Sequence, residues 1–113
     1  MSRPVLSTHV LDTSTGKPAA AVFVELHKKK DSSWILWHNT MTTNDGRALF
    51  PFTQESMSEG TYKLLFKVED YYKTLDKETL YPYVEITFNI KEGQHYHIPL
   101  LLTPYGYTTY RGS

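Results

Sequence analysis

Hydrophobic and polar side chains alternate along two segments of the chain, Tyr62–Val68 and Val84–Ile90. In the first segment Lys63 and Lys67 lie on the side of the strand opposite the apolar residues. In the second, Glu85 is the first residue of the polar side. Successive side chains of a β-strand point to opposite faces, so this period of two separates apolar residues from polar ones. The pattern predicts antiparallel strands with one buried face and one solvated face.

Other short segments are rich in aromatic and β-branched residues and are separated by turn-forming residues, as in a sandwich or barrel. The charged stretch Asp70–Leu80 lacks alternation and is expected to contain one short helix. We therefore predict an all-β fold, an antiparallel β-sandwich with one short helix, in a single domain over residues 1–113. The predicted strands are Val5–Leu11, Ala21–His27, Trp34–Thr42, Arg47–Phe50, Tyr62–Val68, Val84–Ile90 and Tyr96–Leu102.

The first and last predicted strands differ from the others because both of their sides are largely apolar. Strands of this kind are covered on both faces. In a chain of 113 residues, we expect the second cover to be another subunit. Pro99 has no backbone N–H to donate, which indicates an edge or an irregular position in the last strand.

Composition argues against several classes of partner. Lys plus Arg and Asp plus Glu number twelve each, and this balance argues against a nucleic-acid surface. The basic run Lys28–Lys30 precedes Asp31 and is interpreted as a solvated turn. No apolar stretch approaches the roughly 20 residues of a membrane-spanning helix. Because neither end resembles a secretory or peroxisomal signal, we expect a cytoplasmic protein.

The chain has no cysteine, which removes thiolate chemistry and leaves its histidines as the first candidates for catalysis. His9 and His97 lie on the outer apolar sides of the two terminal strands, where the charge state of an imidazole is poised near neutral pH. A buried structural histidine is the alternative for each. His95 and His97 form a His-x-His pair, but no third ligand is spaced to complete a site, so we predict no metal and no cofactor.

Two further candidates lie at a turn and at the C-terminus. Arg47 follows the turn Asn44–Gly46, and its guanidinium can fork onto the oxygens of a ligand, although a solvated charge is the alternative. The aromatic-rich C-terminal segment differs from the usual frayed terminus and is expected to be packed. Packing would place Tyr110 and the carboxylate of Ser113 inside a structure. The residues alone therefore predict a β-sandwich with a site made of His, Arg and Tyr.

At these residues the chain resembles the 5-hydroxyisourate hydrolases, the enzymatic relatives of transthyretin. The segments similar to the opening, central and closing signatures of that family are Leu6–Asp12 with Gly16–Ala19, Thr43–Arg47, and His95–Pro104 with Tyr110–Ser113. Tyr81–Ile86 is also typical of the family. Three separated motifs in register are far more specific than any one of them. Thr103 and Thr108 stand where serine is commoner, and neither is assigned to catalysis.

The resemblance implies a transthyretin-like (prealbumin-like) fold and a homotetramer, a dimer of dimers, with active sites in a channel between the dimers. It places His9, Arg47, His97 and Tyr110 in the site, with Ser113 binding substrate nearby. The implied activity is hydrolysis of 5-hydroxyisourate to 2-oxo-4-hydroxy-4-carboxy-5-ureidoimidazoline in uric acid degradation. That pathway suggests the peroxisome as an alternative compartment.

The implied mechanism is direct attack of water on the ring amide. His9 or His97 would act as general base, and the sequence leaves open which of the two does so. Arg47 would bind substrate oxygens and stabilise developing charge, while Tyr110 would position the substrate or relay protons. One alternative is a transthyretin-like carrier of a small aromatic ligand, which needs no titrating groups in its channel. The other is a secreted structural domain, which the lack of cysteine disfavours.

Overall fold

Two β-sheets pack face to face in the computed structural model, which describes residues 5–53 and 55–112. The described residues form nine strands and one helix. The strands are β1 Leu6–Asp12, β2 Lys17–Pro18, β3 Phe23–Lys30, β4 Ser33–Met41, β5 Arg47–Leu49, β6 Gly60–Phe66, β7 Val84–Ile90, β8 Tyr96–Thr103 and β9 Gly106–Thr109, and the helix is α1 Val68–Thr74. This architecture confirms the predicted all-β sandwich with one short helix.

The first sheet has the strand order β2-β1-β8-β9, with β5 also paired to β1, and the second has the order β4-β3-β6-β7. All of these pairings are antiparallel except that of β1 with β8, which is parallel. The parallel pair joins segments about 90 residues apart in the sequence, with Ser7 opposite His97. The first and last parts of the chain therefore lie side by side.

The core lies between the two sheets and follows the predicted alternation. In β6 the side chains of Tyr62, Leu64 and Phe66 are fully buried, and in β1 those of Leu6 and Val10 are fully buried. Burying apolar surface stabilises the fold by roughly 25 cal/mol per Å². Because the inner side of each strand is used for this packing, the residues between them point to the outer faces of the sheets.

Several predicted boundaries differ from the structure. β3 continues to Lys30, so the run Lys28–Lys30 belongs to a strand, and the turn begins only at Asp31, whose φ is 57°. The short helix predicted within Asp70–Leu80 begins earlier, at Val68, and ends at Thr74, shortly before the left-handed Asp76. β2 and β9 were not predicted. Within the described ranges, no helix has the length and apolar character needed to cross a membrane.

Pro99 lies inside β8 between two neighbouring strands, so its predicted place at an edge is wrong. Its position is nevertheless irregular. The β8–β9 ladder stops at the pair Leu100 and Thr109 and resumes in the same register as a bridge between His97 and Gly112. That register sets Pro99 against the tail, where its missing N–H interrupts the ladder. At this point the Thr109 hydroxyl donates a hydrogen bond to the Pro99 carbonyl at 2.7 Å.

Candidate active site

The outer face of the first sheet brings three of the predicted site residues together. Within that sheet His9 pairs with Arg47 across β1 and β5, and Ser7 pairs with His97 across β1 and β8. An open cleft of about 600 Å³ lies over these strands. It is lined by Ser7, Thr8, Thr40, Met41, Thr43, Asp45, Arg47, Ala48, Leu49, His95 and His97.

The imidazole of His97 is confined between two small residues, Ser7 of β1 and Gly112 of the tail after β9. On one edge of the ring, Nδ1 lies 2.8 Å from the hydroxyl oxygen of Ser7. On the other, Gly112 packs so closely that a Cβ there would lie 2.6 Å from Cδ2 of the imidazole. The Gly112 N–H also donates to the His97 carbonyl at 2.7 Å. Nε2 remains as the ring nitrogen without a hydrogen-bond partner among the described residues.

The surroundings of His97 favour its neutral form. Partial burial lowers the pKa of this imidazole below its ordinary value of 6.5, because a charged ring loses hydration there. The positive charge of Arg47 lowers this pKa further, and His9 and His95 contribute in the same direction. His97 is therefore an unprotonated imidazole near neutral pH, with a lone pair available for proton transfer.

A tight turn places Arg47 and orients His9. Gly46 has a φ of 79°, and a Cβ there would lie 2.4 Å from the Val10 carbonyl oxygen, so only glycine fits. The Gly46 carbonyl accepts from the Val10 N–H at 2.8 Å and fastens the turn to β1. His9 then donates from Nε2 to the Asp45 carbonyl at 2.9 Å. Because a carbonyl only accepts, this contact sets the proton of His9 on Nε2.

Asp45 and Arg47 form a loose ion pair at the mouth of the cleft. Nε of Arg47 lies 3.6 Å from Oδ2 of Asp45, and both side chains are more than half exposed. A hydrogen bond from the Thr43 hydroxyl lowers the pKa of the Asp45 carboxyl, and Arg47 lowers it further. Exposed pairs of this kind contribute little to stability. Most of the hydrogen-bonding capacity of the Arg47 guanidinium is thus available to a ligand.

The C-terminal side chains are not packed within one chain. The Tyr110 ring is 57% exposed there and is not among the residues lining the cleft, so its place in the site stays a prediction. The backbone of the tail is nevertheless held, by β9 and by the bridge of Gly112 to His97. Ser113 lies outside the described residues.

Sequence reasoning missed Ser7, Asp45 and Gly112 as parts of the site. The alternation of β1 did place Ser7 on the same side as His9. Its position beside His97, however, depends on the register of a parallel pair about 90 residues apart, which no local pattern reveals. Gly112 carried a signal only as part of the closing motif.

No group of three His, Asp or Glu side chains within the described residues is arranged to hold a metal ion. Metal independence stays a prediction.

Known proteins resemble this chain over nearly its full length. A model of the HIUase/Transthyretin family matches residues 6–112. The 5-hydroxyisourate hydrolase of Mus musculus is 45% identical over 111 residues, which are 96% of this chain and 94% of the mouse protein. The structure of Klebsiella pneumoniae 5-hydroxyisourate hydrolase superposes with a TM-score of 0.83 at 36% identity, covering 96% of this chain and 98% of that one. Transthyretin from Sparus aurata superposes with a TM-score of 0.91 at 26% identity, covering 97% of both chains. The chain belongs to the HIUase/Transthyretin family.

Proposed function

We propose that this protein hydrolyses 5-hydroxyisourate to 2-oxo-4-hydroxy-4-carboxy-5-ureidoimidazoline, a step of uric acid degradation. The observation that carries the proposal is a neutral imidazole, His97, held beside the guanidinium of Arg47 in an open cleft. A carrier of a small aromatic ligand needs neither group. The fold is shared by both kinds of protein, so the residues of the site decide between them. The mouse and Klebsiella relatives named as hydrolases also have higher identity than the transthyretin.

His97 is the general base in this proposal. With the proton of the neutral ring on Nδ1 and donated to the Ser7 hydroxyl oxygen, Nε2 carries the lone pair that accepts a proton. His9 has its Nε2 proton committed to the Asp45 carbonyl and is less suited to the same task. A base must be unprotonated at the working pH, and the lowered pKa of His97 meets that requirement.

The reaction then follows from these positions. Water attacks the ring carbonyl carbon while its proton passes to Nε2 of His97, and a C–O bond forms. Arg47 stabilises the negative charge that develops on the carbonyl oxygen. The C–N bond of the ring then breaks, and the leaving nitrogen takes the proton that His97 has accepted or a proton from His9 in its protonated form. No metal or cofactor takes part in these steps.

Assembly completes the site in this proposal. Met41 of β4 and Leu49 of β5 line the cleft and are 51% and 66% exposed in the single chain, so apolar surface borders the groups proposed for catalysis. We infer that a homotetramer, a dimer of dimers, covers this face and turns the cleft into a channel. The exposed ring of Tyr110 then contacts substrate bound at the interface, with Ser113 beside it.

The absorbance of freshly generated 5-hydroxyisourate, followed with and without the protein, tests the proposed function. We expect faster decay with the wild-type protein. His97→Asn and His9→Asn should each lower turnover by about 100-fold or more, the usual contribution of general acid–base help. His27→Asn is the matched control, because His27 pairs with Glu25 on the other sheet. Unchanged decay together with tight binding of an aromatic ligand would support the carrier instead.

A further inference from the structure

Arg111 is anchored by three contacts at the edge of the sandwich. Its guanidinium carbon lies 4.3 Å from the centroid of the Tyr96 ring, within the range of a cation–π interaction. Nη2 of the same group lies 3.0 Å from Oε1 of Gln94 and 3.0 Å from the His95 carbonyl oxygen, donating to both. A planar guanidinium is suited to stacking and forked donation at once, whereas an ammonium group is not.

The contact of Arg111 with Tyr96 lies on the face of β8 opposite His97. Tyr96 and His97 are consecutive in β8 and therefore point to opposite faces of the sheet. Arg111 packs on the Tyr96 ring, and the next residue, Gly112, packs on the edge of the His97 ring. Two consecutive residues of the tail thus contact two consecutive residues of β8, one on each face. Fixing the position of Arg111 fixes where Gly112 lies.

We propose that Arg111 is a positioning residue, which anchors the tail so that Gly112 confines the imidazole of His97 against Ser7. The inference rests on the proposed function, in which His97 is the base. If the tail shifts, the ring gains freedom to rotate and Nε2 leaves the geometry needed for attack. Misplacement of a catalytic group by about 1 Å can cost about 100-fold in rate.

Arg111 acts through geometry and not through its charge. The groups that lower the pKa of His97 electrostatically are Arg47, His9 and His95, and Arg111 is not one of them. Burial is the largest cause of that lowered pKa. Loss of the anchor should therefore hydrate the ring and move its pKa back toward 6.5, even where a positive charge is kept at position 111.

The test compares Arg111→Ala and Arg111→Lys with a neighbouring control, Lys91→Ala. Lys91 lines the same groove of about 450 Å³ as Arg111, but its contact to the Tyr96 hydroxyl is made by the backbone N–H and would remain in the alanine variant. For each variant, kcat, KM and the pH dependence of the rate are measured, and the titration of the His97 imidazole is followed by NMR. Circular dichroism reports whether each protein folds.

We expect Arg111→Ala to lower kcat by about 10- to 100-fold with a smaller change in KM, and to raise the pKa of His97. Arg111→Lys should behave like the alanine variant, and Lys91→Ala like the wild type. Full activity with an unchanged titration in Arg111→Ala, or complete rescue by Arg111→Lys, would overturn the proposal. If the alanine variant does not fold, the kcat and the His97 titration of Arg111→Lys decide whether the proposal holds. A wild-type protein inactive on 5-hydroxyisourate would refute the proposed function, whereas the NMR titration would still test the positioning.

Discussion

At the scale of single residues, the position of His97 depends on two neighbours that are small. Ser7 contacts Nδ1 of the ring, and Gly112 takes the space beside Cδ2. Gly112 is not required by its backbone angles, because its φ lies outside the left-handed region. The absence of a side chain is what matters at this position, and it leaves room for the imidazole.

Gly112→Ala should therefore impair catalysis without unfolding the protein. A Cβ at 2.6 Å from Cδ2 of His97 is closer than van der Waals contact allows, so either the ring or the tail must move. We expect kcat to fall by about 10- to 100-fold. Gly106→Ala is the matched control, because a Cβ there meets only the Thr103 hydroxyl at an ordinary 3.6 Å. Equal kcat values for the two variants would show that Gly112 does not hold the ring.

The pH dependence of the rate should report the lowered pKa of His97. The base works when neutral, so activity is lost as the pH falls through this pKa, and the acid limb should lie below 6.5. Arg47→Gln removes the second largest cause of the lowered pKa of His97. This variant should move the acid limb of the pH–rate profile to higher pH, and it should also lower kcat. Rates measured from pH 4 to 9 (about the useful range for imidazole) test this. An acid limb above 6.5 in the wild type would exclude His97 as the base.

At the scale of the elements, α1 is fastened to the sandwich by a buried polar contact. The Tyr71 hydroxyl donates to Oδ2 of Asp12 at 2.9 Å, and Asp12 is fully buried at the end of β1. Burial raises the pKa of the Tyr71 hydroxyl, and its hydrogen bond to Asp12 raises it further. Asp12 also accepts from the Ser14 N–H at 3.0 Å, so the carboxylate joins the helix to the turn after β1.

Tyr71→Phe should destabilise the protein and leave its catalysis intact. Loss of a buried hydrogen bond to a carboxylate costs about 1.5–3 kcal/mol. In a chain of this size we expect Tm to fall by several degrees, measured by thermal unfolding. Tyr81→Phe should have little effect, because the Tyr81 hydroxyl makes only an exposed contact of 3.3 Å to the Tyr105 carbonyl. A Tm for Tyr71→Phe equal to that of the control would show that the contact does not stabilise the helix.

The strands that local pattern predicted are those that contribute most to the core. β7 has the predicted bounds, and β6 and β8 differ only at their ends, because their apolar sides are buried between the sheets. β2 and β9 lack such a signal. β2 has two exposed residues, and three of the four residues of β9 are exposed, so pairing alone defines both strands.

At the scale of the whole molecule, the outer face of the first sheet is the feature that one chain leaves unexplained. Exposed Leu49 of this sheet and exposed Met41 of β4 border the cleft, and exposed Tyr110 follows β9 in the tail. A stable association between subunits commonly buries about 800 Å² on each partner. This face offers apolar side chains for such burial, next to the groups proposed for catalysis.

We expect a tetramer in solution, with an activity that depends on assembly. Leu49→Glu places a charge among apolar contacts in the proposed interface and should shift the mass measured by light scattering toward dimers. Turnover should fall in parallel. Leu36→Glu, at an exposed position of β4 that does not line the cleft, is the control for the added charge. A monomeric wild-type protein with full activity would refute the assembly and the role given to it.

The sequence by itself determined the fold class and most of the strands, because a period of two and a buried inner face are local properties. It also singled out His9, Arg47 and His97, through their places on strands or turns and through the three motifs. The sequence could therefore identify which residues belong to the site, without showing how they are arranged.

Only the tertiary structure decided how these groups act. The parallel register of β1 and β8 sets Ser7 beside His97, and the return of the tail sets Gly112 on the other edge of the ring. The docked turn then directs His9 to a carbonyl and brings the charge of Arg47 close to His97. Contacts between residues about 90 positions apart depend on the packing of the whole chain, and the pKa of an imidazole depends on what surrounds it. Neither the long-range contacts nor the pKa is a property of any single segment.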